Sequence, residues 1–358
     1  MDYNNFSTLL DNRAKKIYPV IAPDAKEEYL TYMNKVDYDQ NIYQLTGMTG
    51  LGMGQVLADG QTPSIDYPLQ GFTKTAAQLT FTHRVRLGMK AAQFLFKEVL
   101  KEGAMTSKVG KIDAVVSRQI LDLKNAIVHV KNYLAQSMLA QGWATTFTFV
   151  PLANGITEYQ KTAIDTTTSD GVSFWSFSHV REDAGTAWGN IVISAAVNNP
   201  SFSYAALVAM RGQHVNKKDG RGLPLMGSNI DTLIFQQNSP AFFLATSINA
   251  TIERGFYPSA NAGVSGSYND APSTSGFKII GLAPYGGTAV TSTMWFGLDS
   301  QKINDMNGFQ YVVTMPASQL PTYQDLIGNL DLVMNMVEFS TFMVADLRYW
   351  MASTGLNA

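Results

Sequence analysis

Between positions 113 and 142 the apolar residues recur at steps of three and four. Val116, Ile120, Leu123, Ile127, Val130, Leu134 and Met138 form one stripe. That period places them on a single face of a helix. Asp113 stands where a residue could cap the start, and Gly142 where a helix exits through a left-handed residue. No Pro or Gly interrupts the interior, and at 1.5 Å per residue the segment predicts a helix of about 43 Å. Ser117, Asp122, Lys124, Asn125, Lys131, Asn132 and Gln136 make the rest of its surface mixed or polar. The expectation is a core helix with one wet side.

A second period precedes it. Leu79, Phe81, His83, Val85 and Leu87 alternate with Thr80, Thr82, Arg84 and Arg86, the step of two that marks a strand. A weaker strand reads at 65–72, and the two together predict a long two-stranded ribbon across 48–90. An isolated ribbon is marginal in water, so this one is expected to rest on another surface. Residues 1–47 hold too few apolar positions for a core of their own and read as an arm broken by Pro19 and Pro23. Asp24 followed by Glu27 has capping-box spacing and predicts a helix to about Met33.

The remainder mixes short helices and strands, an α+β pattern. Helices are predicted at 90–101, 200–211 (ended by Gly212) and 240–248. Strands are predicted at 145–150, 231–235, 277–282, 294–298 and 309–315, with two more, 330–339 and 341–350, closing the chain. Residues 153–190 are irregular, 215–222 is a basic turn, and 255–276 is a Gly/Ser/Asn-rich loop.

Composition narrows the function classes. The chain has 358 residues, room for one large domain or two ordinary ones. Only 15% are charged, against an ordinary ~25%, which suits a protein that buries much of itself against its own copies. A net charge of −2 argues against a general nucleic-acid binder. There is no cysteine, hence no disulfide framework and no thiolate chemistry. No secretory signal opens the sequence and no apolar run is long enough for a membrane span.

No local motif supplies catalysis, a cofactor or a metal. His179 and Glu182 have ligand-like spacing, but a zinc-protease motif needs a second nearby histidine. His83, His129 and His214 are equally isolated and read as structural, with His83 on the apolar parity of its strand, where two surfaces meet. The glycines at 50, 52 and 54 lack dinucleotide-loop spacing, and residues 71–75 lack the glycine a phosphate loop places before its lysine. The segment 263–267 is not a hydrolase elbow. Carboxylates that converge only in space stay open. Lys217, Lys218 and Arg221 form the densest basic spot, either a solvated turn or an electrostatic contact.

The order of these parts resembles the major capsid proteins of tailed bacteriophages with the HK97-type fold. The arm matches 1–47, the extended E-loop 48–90, with PLQGFTKTAAQLTFTHRVRLG as its core, and the spine helix 113–141. DGVSFWSFSHV (170–180) is similar to the family's approach to its axial (A) domain, and 202–248 to the core of that domain. VMNMVEFSTFMVADLRYW is similar to the strands that return to the peripheral (P) domain. The resemblance implies a P domain over 91–190, an A domain over 191–325 and return strands over 326–358. It implies a non-enzymatic shell subunit forming hexamers and pentamers around double-stranded DNA inside a virion, assembled in the host cytoplasm. Portal, scaffolding or decoration proteins would be its other partners. No fused scaffolding domain is expected, because the arm begins near Met1.

Lys74, Phe81, His83, Arg84, Arg86, Lys217, Lys218 and Arg221 are then candidate contacts between subunits, the basic turn facing a neighbour or packaged DNA. Lys74 stands where some relatives form a covalent crosslink. That reaction needs a catalytic carboxylate which the sequence does not designate, and no crosslink is expected. The rival readings are an encapsulin-type nanocompartment shell, which holds protein cargo, and a β-rich hydrolase with a dispersed site.

Overall fold

The computed structural model describes residues 11–12, 14–48, 65–68, 70–87, 109–151, 161–225, 227–253, 256–257, 267–268, 276–302, 308–324 and 332–357. Strands β1 (Asn34–Asp37), β2 (Ile42–Met48), β3 (Gln70–Ala77) and β4 (Leu79–Leu87) precede the long helix α1 (Val109–Gln141). β5 (Thr146–Phe149) and β6 (Thr162–Asp165) follow as an antiparallel pair. Helix α2 (Tyr204–Val215), strand β7 (Thr232–Gln236), helix α3 (Pro240–Glu253) and strands β8 (Lys278–Leu282) and β9 (Trp295–Leu298) come next. The chain closes with β10 (Phe309–Gln324), β11 (Leu332–Val344) and β12 (Trp350–Ser353).

Two four-stranded sheets carry the architecture. The first has the order β1-β10-β11-β4 and is antiparallel except for the β1/β10 pair. The second has the order β8-β7-β9-β12 and is antiparallel except for β8/β7. The stripe of α1 packs on the first sheet. Val116, Ile120, Leu123, Ile127, Leu134 and Met138 are buried with Phe81, Tyr311, Met334, Met336 and Phe342, and Val130 lies at the edge of that core. Alternation sorts the second sheet. Ile234, Phe296, Leu298 and Ala352 face the same core, while Leu233, Phe235, Trp295 and Met351 face away. Ala206, Leu207 and Met210 of α2 and Ala245 and Ile248 of α3 cover that outer face.

Several expectations need correction. Helix α1 starts before Asp113, so that residue lies within it rather than at its cap. Gly142 does not take a left-handed backbone. Close approach demands the glycine, because a Cβ there would stand 2.8 Å from Trp175 Nε1 and 2.9 Å from Phe174 Cβ. Asp24 starts no α-helix. Only the 3-10 turn Glu28–Thr31 forms, and its N-cap residue Glu27 makes no side-chain cap bond. Gly212 lies inside α2, which runs on to Val215 from a start capped by Ser203. Gly212 does not take the left-handed backbone by which a glycine ends a helix.

The expected ribbon of 65–72 against 79–87 does not form. β4 follows its predicted alternation, yet it pairs with β11, while β3 pairs with β2. The hairpin is therefore 42–48 against 70–77, and a boundary between arm and ribbon at 47/48 cuts through β2. β10 outruns its expected end because its pairing with β11 is irregular at three places, which breaks the alternation that a sequence displays. β11 runs through residue 340 and merges the two closing strands, and β12 joins the other sheet. The helix expected at 90–101 lies outside the described residues, as does most of 255–276.

Candidate functional site: a strap, a hairpin and a basic turn

The arm covers part of the polar side of α1, at Lys124, Asn125, Lys131 and Asn132, while Arg118, Asp122 and His129 stay exposed. Asn125 Oδ1 accepts from Ala25 N at 3.0 Å. Asn132 Oδ1 accepts from Glu28 N at 3.0 Å while its Nδ2 donates to Lys26 O at 2.8 Å. Lys124 Nζ donates to the carbonyls of Tyr18 and Ile21 at 2.7 and 2.5 Å. These bonds grip backbone, so residues 18–28 lie on the helix as a strap. Ala14, Tyr29, Tyr32 and Met33 then bury themselves in the main core, with the Tyr29 ring edge-on to Tyr311 and Phe342.

A buried charge cluster locks this contact. Lys131 is 4% exposed and Glu338 2%. Lys131 Nζ lies 3.0 Å from Glu27 Oε1, 3.2 Å from Glu338 Oε2 and 3.2 Å from the Tyr311 hydroxyl. Tyr311 and Ser340 also donate to Glu338. Burial alone would pull the Lys131 pKa down, but Tyr311, Glu338 and Glu27 outweigh it and hold it above the ordinary lysine value. Burial pushes Glu27 up, and Lys131 with the Tyr29 hydroxyl more than offsets that, leaving it below the carboxylate range. The sequence reading gave Glu27 to a helix cap and Lys131 to a polar surface, and it did not single out Glu338. Of the three, Glu338 alone carried a signal, a charge between Val337 and Phe339, whereas Glu27 sits among charges and Lys131 beside Asn132.

The hairpin is tied to the body at two levels. Tyr43 and Leu45 bury its root against Val312, Met343 and Ala345. Lys74 Nζ reaches Asp165 Oδ2 at 2.5 Å and Thr167 Oγ1 at 2.7 Å. Burial raises the Asp165 pKa, and the bonds from Lys74 and Thr167 overcome that and lower it. Farther out, Arg221 Nη1 donates to both carboxylate oxygens of Asp66 at 2.6 and 2.8 Å, and its Nη2 to the Tyr67 carbonyl.

The candidate contact residues divide accordingly. Phe81 is 6% exposed in the core, so it is not a surface contact. Lys217 is not a solvated cation either. It is 5% exposed, and its Nζ donates to the carbonyls of Arg348 and Trp350 at 2.9 and 2.8 Å. Burial brings its pKa down to about 7, with Asp346 opposing and Arg348 adding to the shift. Lys74 and Arg221 hold the hairpin. Arg84, Arg86 and Lys218 stay on the surface, with Arg84 Nε donating to Asn335 Oδ1 at 2.9 Å. His83 is half-buried, and burial lowers its pKa. It lines a groove of about 730 Å³ between β4, α1 and the β5/β6 pair, beside β4, which stands at the edge of its sheet.

The remaining polar clusters are wired for structure. His179 Nδ1 lies 3.1 Å from Asp170 Oδ2, and its ring stacks on Trp188 with centroids 4.3 Å apart. Glu182 instead binds Arg348 at 2.6 Å. His129 Nδ1 meets the Tyr285 hydroxyl at 2.9 Å. A serine, a histidine and an aspartate do converge, with Ser228 Oγ 2.7 Å from His214 Nε2 and 2.8 Å from Asp299 Oδ2. Their order is wrong for nucleophilic catalysis. The carboxylate accepts the hydrogen bond of the serine hydroxyl rather than orienting the imidazole, and burial with the Lys217 charge holds the His214 pKa at about 3. Among the described residues no group of three or more His, Asp or Glu could hold a metal ion. No helix among them is long and apolar enough to cross a membrane.

No family model matches the chain, and no curated protein does. Among solved structures it is similar to the capsid of the cyanophage P-SCSP1u, at 10% identity and a TM-score of 0.44 over 93% of this chain and 90% of that one. The asymmetric unit of the bacteriophage PhiM1 mature capsid gives 9% and 0.44 over 93% and 88%. The capsid of an empty GTA particle gives 9% and 0.44 over 95% and 96%.

Proposed function

We propose that this chain is the major capsid protein of a tailed bacteriophage, a shell subunit of HK97-type fold. Copies of it would form hexamers and pentamers that close into an icosahedral head around double-stranded DNA. The observation that carries this reading is the division of labour around α1. Its apolar stripe is spent on the first sheet, and Lys124, Asn125 and Asn132 of its polar side on the strap, so the helix is a spine that binds sheet and arm together. A two-stranded hairpin leaves that spine with Ile42, Ile65 and Tyr67 at 61%, 76% and 67% exposure. Apolar groups so placed are buried when a second copy covers them.

The regions take their roles from this. The second sheet with α2 and α3 is the A region, gathering around five- and six-fold axes. α1 with the first sheet is the P region, meeting neighbours near three-folds. A near-neutral chain suits non-specific contact with DNA loaded by a motor. Portal, scaffolding or decoration proteins complete the particle. Its work is mechanical, in the virion, after assembly in the host cytoplasm. Electron microscopy of the purified protein tests this. Closed shells tens of nanometres across are expected, and a small discrete particle with no shells refutes it.

A further inference from the structure

Residues 345–349 carry the chain from β11 of the first sheet to β12 of the second. Three other segments grip this crossover. Ser169 donates through N and Oγ to the Ala345 carbonyl at 2.9 and 2.7 Å, and Glu182 holds the Arg348 guanidinium at 2.6 Å. Asp299 N donates to the Tyr349 carbonyl at 3.2 Å. Lys217, just beyond α2, donates to the Arg348 and Trp350 carbonyls. A neutral amine has two N–H donors to match these two acceptors, whereas an ammonium has a third. That third finds only the Trp188 ring, 5.3 Å from Nζ, and Arg348 shares the ring at 5.6 Å. The charged groups nearby are committed elsewhere. Asp346 and Glu182 both pair with Arg348. Asp219 accepts from the amides of Arg221 and Leu223, and Lys218 is exposed. His214, in the last turn of α2, is buried against Ser228, and His179 stacks on Trp188.

We infer that Lys217 is a proton-operated clamp on the crossover between the two sheets. As a neutral amine it holds both carbonyls, and as an ammonium it brings an unpaired charge into the junction and loosens it. The clamp belongs to the single subunit and goes beyond the shell reading, since it stands whether or not copies assemble. Burial brings the pKa of the closed junction down to about 7, while a Lys217 released into water takes the ordinary 10.5. The closed form therefore sheds its proton first as pH rises. Closure strengthens by up to about tenfold per pH unit between those values and is flat below about 7.

Amide exchange in the unassembled full-length chain, corrected for the intrinsic effect of pH on exchange, tests the clamp. The amides of Val192, Asp299, Trp350 and Ala352 make their bonds at the junction. They should be less protected than those of β11, and between pH 6 and 8.5 their protection should rise at least about fivefold. In Lys217→Met it should stay level. Level protection in wild type overturns the clamp, as does an equal rise in Lys217→Met, which would assign the titration to another group. Protection equal to that of β11 at every pH also overturns it, because the junction would then open only with the whole fold. Should Lys217→Met fail to fold, Lys217→Arg decides. It stays charged throughout, so its protection should be low and level, and a rise like that of wild type refutes the clamp.

Discussion

Lys131 and Lys217 are both buried lysines, and their surroundings push them in opposite directions. Lys131 has two carboxylates within 3.2 Å. Removing one partner of a buried pair leaves the other charge unpaired, at a cost of about 3–5 kcal/mol. Lys131→Met should therefore lower the unfolding free energy by about that much in a denaturant titration, and adding Glu338→Gln should recover part of it. A Lys131→Met midpoint equal to wild type would show that the triad contributes nothing net. Lys217 has two carbonyls instead, and its pKa falls to about 7 in the folded chain from the ordinary lysine value of 10.5. Between those values the unfolded chain binds the extra proton, so stability rises with pH there and is flat below about 7. Thermal midpoints of wild type should climb from pH 7 to 10 relative to Lys217→Met. A constant difference across that range would refute a depressed Lys217.

At the scale of elements, legibility followed locality. The stripe of α1 and the alternation of β4 depend on one segment facing one core, and both appear in the sequence as drawn. What covers the other side of α1 does not. Asn125 and Asn132 look like solvated residues until Ala25 and Glu28 arrive from about a hundred positions away. The hairpin failed for the same reason. Nothing local says that 70–77 pairs backwards with 42–48 rather than forwards with 79–87. Of the candidate contacts, Phe81 and Lys217 were drawn inward by partners that only the fold supplies. The strap decides what removal of residues 1–40 does to the fold. That deletion strips Tyr29, Tyr32 and Met33 from the core and β1 from the first sheet. Each large core side chain lost costs about 3–5 kcal/mol, so the 1–40 deletion should lose its near-ultraviolet dichroism and bind a hydrophobic dye. A native spectrum from that deletion would contradict the strap.

For the whole molecule, the apolar surface left uncovered indicates where copies meet. The outer faces of α2 and α3 expose Val208, Val215, Phe243 and Leu244 at 50%, 63%, 59% and 42%. They sit on the helices that shield the second sheet, the region assigned to the five- and six-fold axes. An exposed Phe contributes little to the stability of its own subunit, since surface substitutions usually stay within about 0.5 kcal/mol. Within a closed ring the same side chain would be desolvated, and a carboxylate in its place would bring an unpaired charge into an apolar contact. Phe243→Asp should therefore leave the melting midpoint of the subunit within a degree or two while sedimentation shows unassembled protein. Phe235→Asp, which places the charge under the same helices in the core, should instead unfold the subunit. The pair separates a shell that fails for want of an axial contact from one that fails for want of a fold. Shells of normal size from Phe243→Asp would remove α3 from the axial interface and leave the ring contacts to the strap and the hairpin.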